Sequence, residues 1–298
     1  MGREGSILLV LAVAALSCAQ APAPAPPPAQ PPPPAASAAP PTFELHTVER
    51  KQGDCAAEDA PCAHFLASFP VVTGGVRSPV REAVNGAIVS LVARAGAFIA
   101  PADGEEGEEG GERAPATLGE AATEFFSSWS QNREELPEDA PAAYSRWVDE
   151  RRMEVLHADA RVLSVELTLY AFTGGAHPNA FVELESYDLA TAEPLVLADL
   201  LAAGAAPRLP ALGERLFRRE REIPEGESLE EAGFWFEDDR FELTDNFAVT
   251  GKGLVFVYNP YEVAPYVFGP TRITVPWSEL RGLLRPEAPA AATAAPVG

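Results

Sequence analysis

Basic charge is scarce in this 298-residue chain: 22 Lys and Arg stand against 44 Asp and Glu, a formal net charge of -22. A polyanion would be repelled, which excludes nucleic acid as a partner and a polybasic membrane patch as an anchor. Histidine is equally sparse. The four residues His46, His64, His157 and His177 include no i,i+4 pair, so the helical ligand set of a zincin is missing. No GxSxG elbow, phosphate loop or dinucleotide-binding glycine fingerprint occurs, so no catalytic residue, metal or cofactor is expected. Cysteine is limited to Cys18, Cys55 and Cys62. The longest apolar run, residues 7–16, is too short to cross a bilayer as a permanent helix.

That run follows Arg3 and reads as a secretory signal peptide over residues 1–17. It ends in Ala15-Leu16-Ser17-Cys18, which resembles the lipobox of bacterial lipoproteins with the leucine one place late. Cys18 is therefore the expected lipidation site, and two or more acyl chains would give stable anchoring. Residues 18–42 are dominated by proline and alanine and read as a tether. At about 3.1 Å per residue in polyproline II geometry, such a tether holds a domain on the order of 60 to 70 Å from the lipid. The expected location is exported and membrane-anchored, facing the periplasm or the cell exterior.

In an exported chain whose Cys18 carries lipid, Cys55 and Cys62 remain as an even pair and are expected to form a short-loop disulfide. So small a loop contributes only about 2 kcal/mol. The acidic charge concentrates in residues 103–109 and 222–231, both read as solvated loops.

The globular part is expected to form an amino-terminal lobe, residues 43–140, and a carboxy-terminal domain, residues 141–285, followed by a disordered tail, residues 286–298. Residues 64–72 read as a strand, and Ser78-Pro79 as the cap and first position of a helix whose apolar stripe runs to Phe98 and stops at Pro101. Residues 118–133 form a second helix burying Phe125, Phe126 and Trp129. Residues 162–172 alternate, with Leu163, Val165, Leu167 and Leu169 on one face and Ser164, Glu166 and Thr168 on the other, as a sheet with one solvated face demands. Residues 147–156 and 181–189 read as flanking strands. Residues 197–201 and 208–221 read as helical. Strands return at 247–249, 254–258 and 271–275, with a closing helix at 277–284. This order gives an α+β fold, a largely antiparallel sheet packed against helices in two intimate lobes.

The stretch Thr173-Gly174-Gly175-Ala176-His177-Pro178-Asn179 falls between two strands, where glycine supplies positive φ and Pro178 blocks further pairing. His177 suits either a ligand contact beside a carboxylate such as Glu183 or, as the favoured reading, hydrogen bonds to backbone carbonyls that hold the hairpin. Glu183 and Glu185 share a strand face; they read as the polar face of a strand rather than a glycosidase pair. In Asn259-Pro260-Tyr261-Glu262-Val263-Ala264-Pro265-Tyr266, the two tyrosines suit stacking on a sugar or packing with one buried hydrogen bond, and packing is favoured. His177, Asn179, Tyr261 and Tyr266 are the candidate ligand contacts.

The stretches LSVELTLYAFTGGAHPN, SYDLATAEPLVLADLLAAG and FAVTGKGLVFVYNPYEVAPYVFGPTRITVPWSEL resemble the signature of a bacterial extracytoplasmic family. That family includes the outer domain of a lysozyme-sensing anti-sigma factor and the non-catalytic module of a peptidoglycan deacetylase. The resemblance covers residues 144–284 well and residues 43–129 loosely. The deacetylase's metal-binding acidic motif is missing here, as are the anti-sigma factor's sigma-binding segment and transmembrane helix. The resemblance therefore implies a non-enzymatic, lipid-anchored binding module of the cell envelope. Its expected partners are the membrane, through the anchor, and a cationic protein such as lysozyme or a cell-wall fragment. A peptidoglycan-processing hydrolase or deacetylase, and an envelope scaffold without a small ligand, are the alternatives.

Overall fold

The chain enters its first sheet through β1 (Thr42–Gly53), which turns back antiparallel into β2 (Cys62–Gly74). The computed structural model describes residues 39–96, 115–137, 139–286 and 288. The signal peptide, Cys18, most of the tether, the acidic tract at 103–109, Phe98 and Pro101, and nearly all of the tail lie outside the described residues. The turn between β1 and β2 carries the expected Cys55–Cys62 disulfide. Arg146 grips that turn by donating to the carbonyls of Ala57 and Ala60, at 2.7 Å each.

After β2 come two helices, α1 (Ser78–Arg94) and α2 (Leu118–Glu135). Pro79 occupies the first turn of α1 as expected, but Ser78 is not its cap: the Ser78 hydroxyl instead bonds the Glu82 carboxylate at 2.8 Å. A full capping box starts α2, with the Thr117 side chain accepting from the Glu120 amide and the Glu120 carboxylate accepting from the Thr117 amide. The helices form a crossover that returns the chain in the same direction, so β3 (Arg146–Ala158) pairs parallel with β2. The sheet then continues antiparallel through β4 (Val162–Phe172) and β5 (Asn179–Asp188), in the order β1-β2-β3-β4-β5. The division placed between residues 140 and 141 falls inside this sheet, between its two parallel strands.

The second part contains the short helix α3 (Leu197–Leu200), then α4 (Leu209–Glu220), and a three-stranded antiparallel sheet of β6 (Phe247–Val249), β7 (Gly253–Tyr258) and β8 (Thr271–Pro276). The fold is α+β. The closing helix expected at 277–284 is instead a set of turns: Leu284 bridges to Leu201, and Arg285 donates to the Leu200 and Leu201 carbonyls.

One large core lies between the first sheet and its helices, where Leu163, Val165, Leu167 and Leu169 meet Val84, Ile88, Leu91 and Trp129. A second surrounds α4 and the smaller sheet, centred on Phe217 with Phe234, Phe236, Phe241 and Tyr258 around it. The expected solvated face of β4 is covered over half its length. Ser164 is fully buried and bonded to Ser186 at 2.8 Å, Glu166 pairs with Arg272 of β8 at 2.7 Å, and Leu184 packs on Ala248, Val255 and Val257. Alternation identified the two faces, but the smaller sheet shields both strands from water.

Inside the first core sits an ion pair. Arg151 forks onto both Asp149 oxygens at 2.8 Å, with both side chains buried, and donates to the carbonyls of Val92 and Ala93 at the end of α1. The strand thereby satisfies the last helical carbonyls that no backbone amide reaches.

Candidate functional site

Two loops meet at one end of β5. The first, residues 173–178, leaves β4 through Gly174 at φ 83°. A Cβ there would lie 2.6 Å from the Tyr144 carbonyl and 3.1 Å from the Trp147 indole nitrogen, so only glycine fits. That tight passage sets His177 on the surface. Its Nδ1 lies 2.9 Å from the Pro178 carbonyl. A carbonyl only accepts, so Nδ1 carries a proton, and Nε2 has no hydrogen-bond partner among the described residues.

The second loop joins β7 to β8 and is anchored by Asn259. Buried, Asn259 accepts from the Val182 amide at 2.7 Å and donates to the Val182 carbonyl at 3.0 Å and to Glu262 at 3.1 Å. Asn246 repeats the device, accepting from the Leu184 amide at 2.8 Å and donating to the same carbonyl at 2.7 Å. Over Val182 and Leu184 the outer edge of β5 is thus closed by side-chain amides, and farther along it the backbone of Glu193 and Leu195 bonds Asp188 and Ser186. Tyr261 sits at φ 70°, its amide bonded to the Ala264 carbonyl. Tyr266 stacks on His177 with ring centroids 4.3 Å apart and donates its hydroxyl to the Pro178 carbonyl at 2.8 Å. Tyr261 lies 5.9 Å from Tyr266 and is 55% exposed.

Three of the four candidate contacts therefore form one row: Tyr261, Tyr266, His177. Tyr266 takes the packing role and Tyr261 stays open. Asn179 begins β5 opposite Ala171, half-buried, with no side-chain hydrogen bond among the described residues.

The carboxylates of β5 do not form a solvated face. Burial pushes the Glu183 carboxyl up to about 7, reinforced by the charges of Glu185 and Glu262 and opposed by Arg94. Glu185 accepts from the Tyr187 hydroxyl and lies 3.8 Å from Arg94. Burial, with the charge of Glu185 beside it, pushes the Tyr187 phenol upward. Glu262 as a residue is exposed, yet its carboxyl rests among enough protein atoms to be raised by burial, against the hydrogen bond from Asn259. Glu262 and Arg94 were not singled out from the sequence. Glu262 lies between the two flagged tyrosines, a position that could have revealed it; Arg94, on α1, carried no such signal. Trp235 was also missed: half-exposed, it braces the second loop through its indole N–H to the Glu262 carbonyl at 3.1 Å.

Among the described residues, no group of three or more His, Cys, Asp or Glu could hold a metal ion. A groove of about 770 Å³ lies elsewhere, lined by Leu197, Leu201, Leu209, Phe241 and Leu243 with Arg240 and Glu242. It shares no residue with the aromatic row.

Residues 198–278 match the protein family of unknown function DUF3298. Residues 56–180 match a second family model, described as deacetylase PdaC. The resemblance to a family shared with a deacetylase-related module is borne out; the PdaC match ends at the start of β5 and the DUF3298 match begins in α3. Two solved DUF3298 proteins share the fold. One from Bacteroides fragilis superposes with a TM-score of 0.64 at 16% identity, covering 87% of this chain and 99% of that one. One from Pseudomonas aeruginosa gives 0.57 at 16% identity, covering 82% and 95%. Among curated proteins, immunogenic protein MPB64 of Mycobacterium bovis and immunogenic protein MPT64 of Mycobacterium tuberculosis are each 30% identical over 126 residues, 41% of this chain. The chain spans about half the length of these relatives. The two DUF3298 and PdaC segments, with the disulfide, mark an extracytoplasmic, envelope-related module. No described helix is long and apolar enough to cross a membrane.

Proposed function

We propose that the chain is a lipid-anchored module that binds cell-wall glycan across the Tyr261–Tyr266–His177 row, without breaking it. The row itself carries this reading: an open tyrosine ring beside a stacked Tyr–His pair is a platform for the apolar face of a pyranose. The free His177 Nε2 and the nearby carboxyls supply hydrogen-bond partners for the hydroxyls at its rim. Lipidation at Cys18 and the proline tether would hold this platform out from the bilayer toward the wall. Calorimetric titration with soluble muropeptides or chitin oligosaccharides tests it. Binding is expected in the micromolar to millimolar range and falls about tenfold or more in Tyr261→Ala, with an unchanged melting temperature. No heat at millimolar sugar would remove the reading.

The net charge of -22 favours a second reading, capture of a cationic protein such as a lysozyme. Association that collapses as salt rises, with no response to sugar or to Tyr261→Ala, would favour it. Glu183 supports hydrolysis on one point, since a carboxyl titrating near neutrality can act as a general acid. Turnover of a glycan that disappears in Glu183→Gln would establish that role and overturn the non-enzymatic reading.

A further inference from the structure

The first sheet is closed at one side by Asn246 and Asn259, but the outer edge of β1 pairs with nothing among the described residues. This edge is twelve residues long, almost wholly exposed, free of proline, and irregular only at Thr42/Phe43. Leu45 stands 71% exposed on it. Long bare edges invite another strand, and charge decides which strand is accepted.

The charges of β1 have a pattern. Glu49 pairs with Lys51 at 2.6 Å and with His64 at 2.9 Å. Glu44 and Arg50 make no ion pair among the described residues, and they lie three positions before and three after Thr47. In an antiparallel pairing of two identical strands, the two-fold axis runs through the sheet at one residue, because opposed side chains must share a face. An axis at Thr47 sets Glu44 of each copy opposite Arg50 of the other, and His46 opposite Val48. An axis at His46 leaves Glu44 opposite Val48, and one at Val48 leaves it opposite Gln52. Only the Thr47 register gives both unpaired charges a partner of opposite sign.

We propose that β1 is a homodimer interface, in which a second copy of this chain adds antiparallel about a two-fold axis at Thr47 and joins the two five-stranded sheets into one. Such pairing is isologous and closes on itself, so it stops at two copies. Cross-strand ion pairs select the chain's own edge, while the same charges repel a strand lacking the pattern.

Sedimentation velocity of the full chain over a dilution series tests this, with a concentration-dependent dimer expected. Glu44→Arg alone, or Arg50→Glu alone, turns two attractive pairs into two repulsive ones and weakens the dimer about tenfold. The double variant Glu44→Arg with Arg50→Glu recovers it, and at dilutions where the chain is monomeric melting temperatures stay level because both positions are exposed there. Thr47→Cys, on the axis, cross-links to itself under mild oxidation, whereas Leu45→Cys, set opposite Glu49, does not. A chain monomeric at every concentration, a dimer indifferent to both single changes, or one not recovered by the double change would overturn the proposal.

Discussion

At β5 the last strand of the sheet hands its amides and a carbonyl to Asn246 and Asn259; at β1 the last strand hands its own to solvent. The covered edge lies beside the aromatic row and the raised carboxyls, and the bare edge lies four strands away. The difference shows what an edge costs when it is buried. A backbone amide facing water needs no partner, but one sealed beneath a loop loses about 1–3 kcal/mol if unpaired. The fold therefore sets two asparagines, Asn259 buried and Asn246 half-buried, where the second sheet arrives. In doing so it fixes the loop that carries Tyr261, Glu262 and Tyr266.

The comparison breaks most readily at Asn259. Asn259→Ala strands the Val182 amide beneath the loop and is expected to cost about 2–3 kcal/mol, read from urea unfolding. A change on the bare edge such as Leu45→Ser should stay within about 0.5 kcal/mol. If the two losses prove equal, the asymmetry between the edges has no energetic content.

A smaller effect comes from Glu183. Its folded pKa, about 7, lies above the unfolded value of 4.5, so the folded chain holds this proton more tightly. The contribution is fully present below pH 4.5 and is lost as pH rises to about 7. Allowing for the carboxyl's partial exposure, the decline is on the order of 1–2 kcal/mol. Glu183→Gln should flatten the fall of melting temperature across that window and stabilise the protein above it. Of the changes around the covered edge the smallest is Tyr266→Phe, which removes one hydroxyl bond to Pro178 and should cost about 1 kcal/mol while keeping the stack on His177.

Much of this architecture was legible because strands and helices write their period into the chain. The runs at 162–172, 247–249 and 254–258 emerge as strands, and the apolar stripes of α1 and α2 as buried faces. The parallel pairing of β2 with β3 was not legible, since it follows from where two helices deliver the chain. The closing segment failed for a related reason: its apolar spacing suits a helix, yet pairing between Leu284 and Leu201 wins. Glu183 and Glu185 were read as a wet face because alternation reports which side chains point together and says nothing about what covers them.

The sequence by itself determined the acidic character, the disulfide pair, the element types and the separate suspicion attached to His177, Tyr261 and Tyr266, because composition and periodicity are local properties. Tertiary structure alone decided that Tyr266 would stack on a histidine 89 residues earlier, that Glu262 would press on Glu183, and that one sheet edge would be sealed and the other left open. These depend on which surfaces exclude water from each other, and that is settled only when distant segments meet.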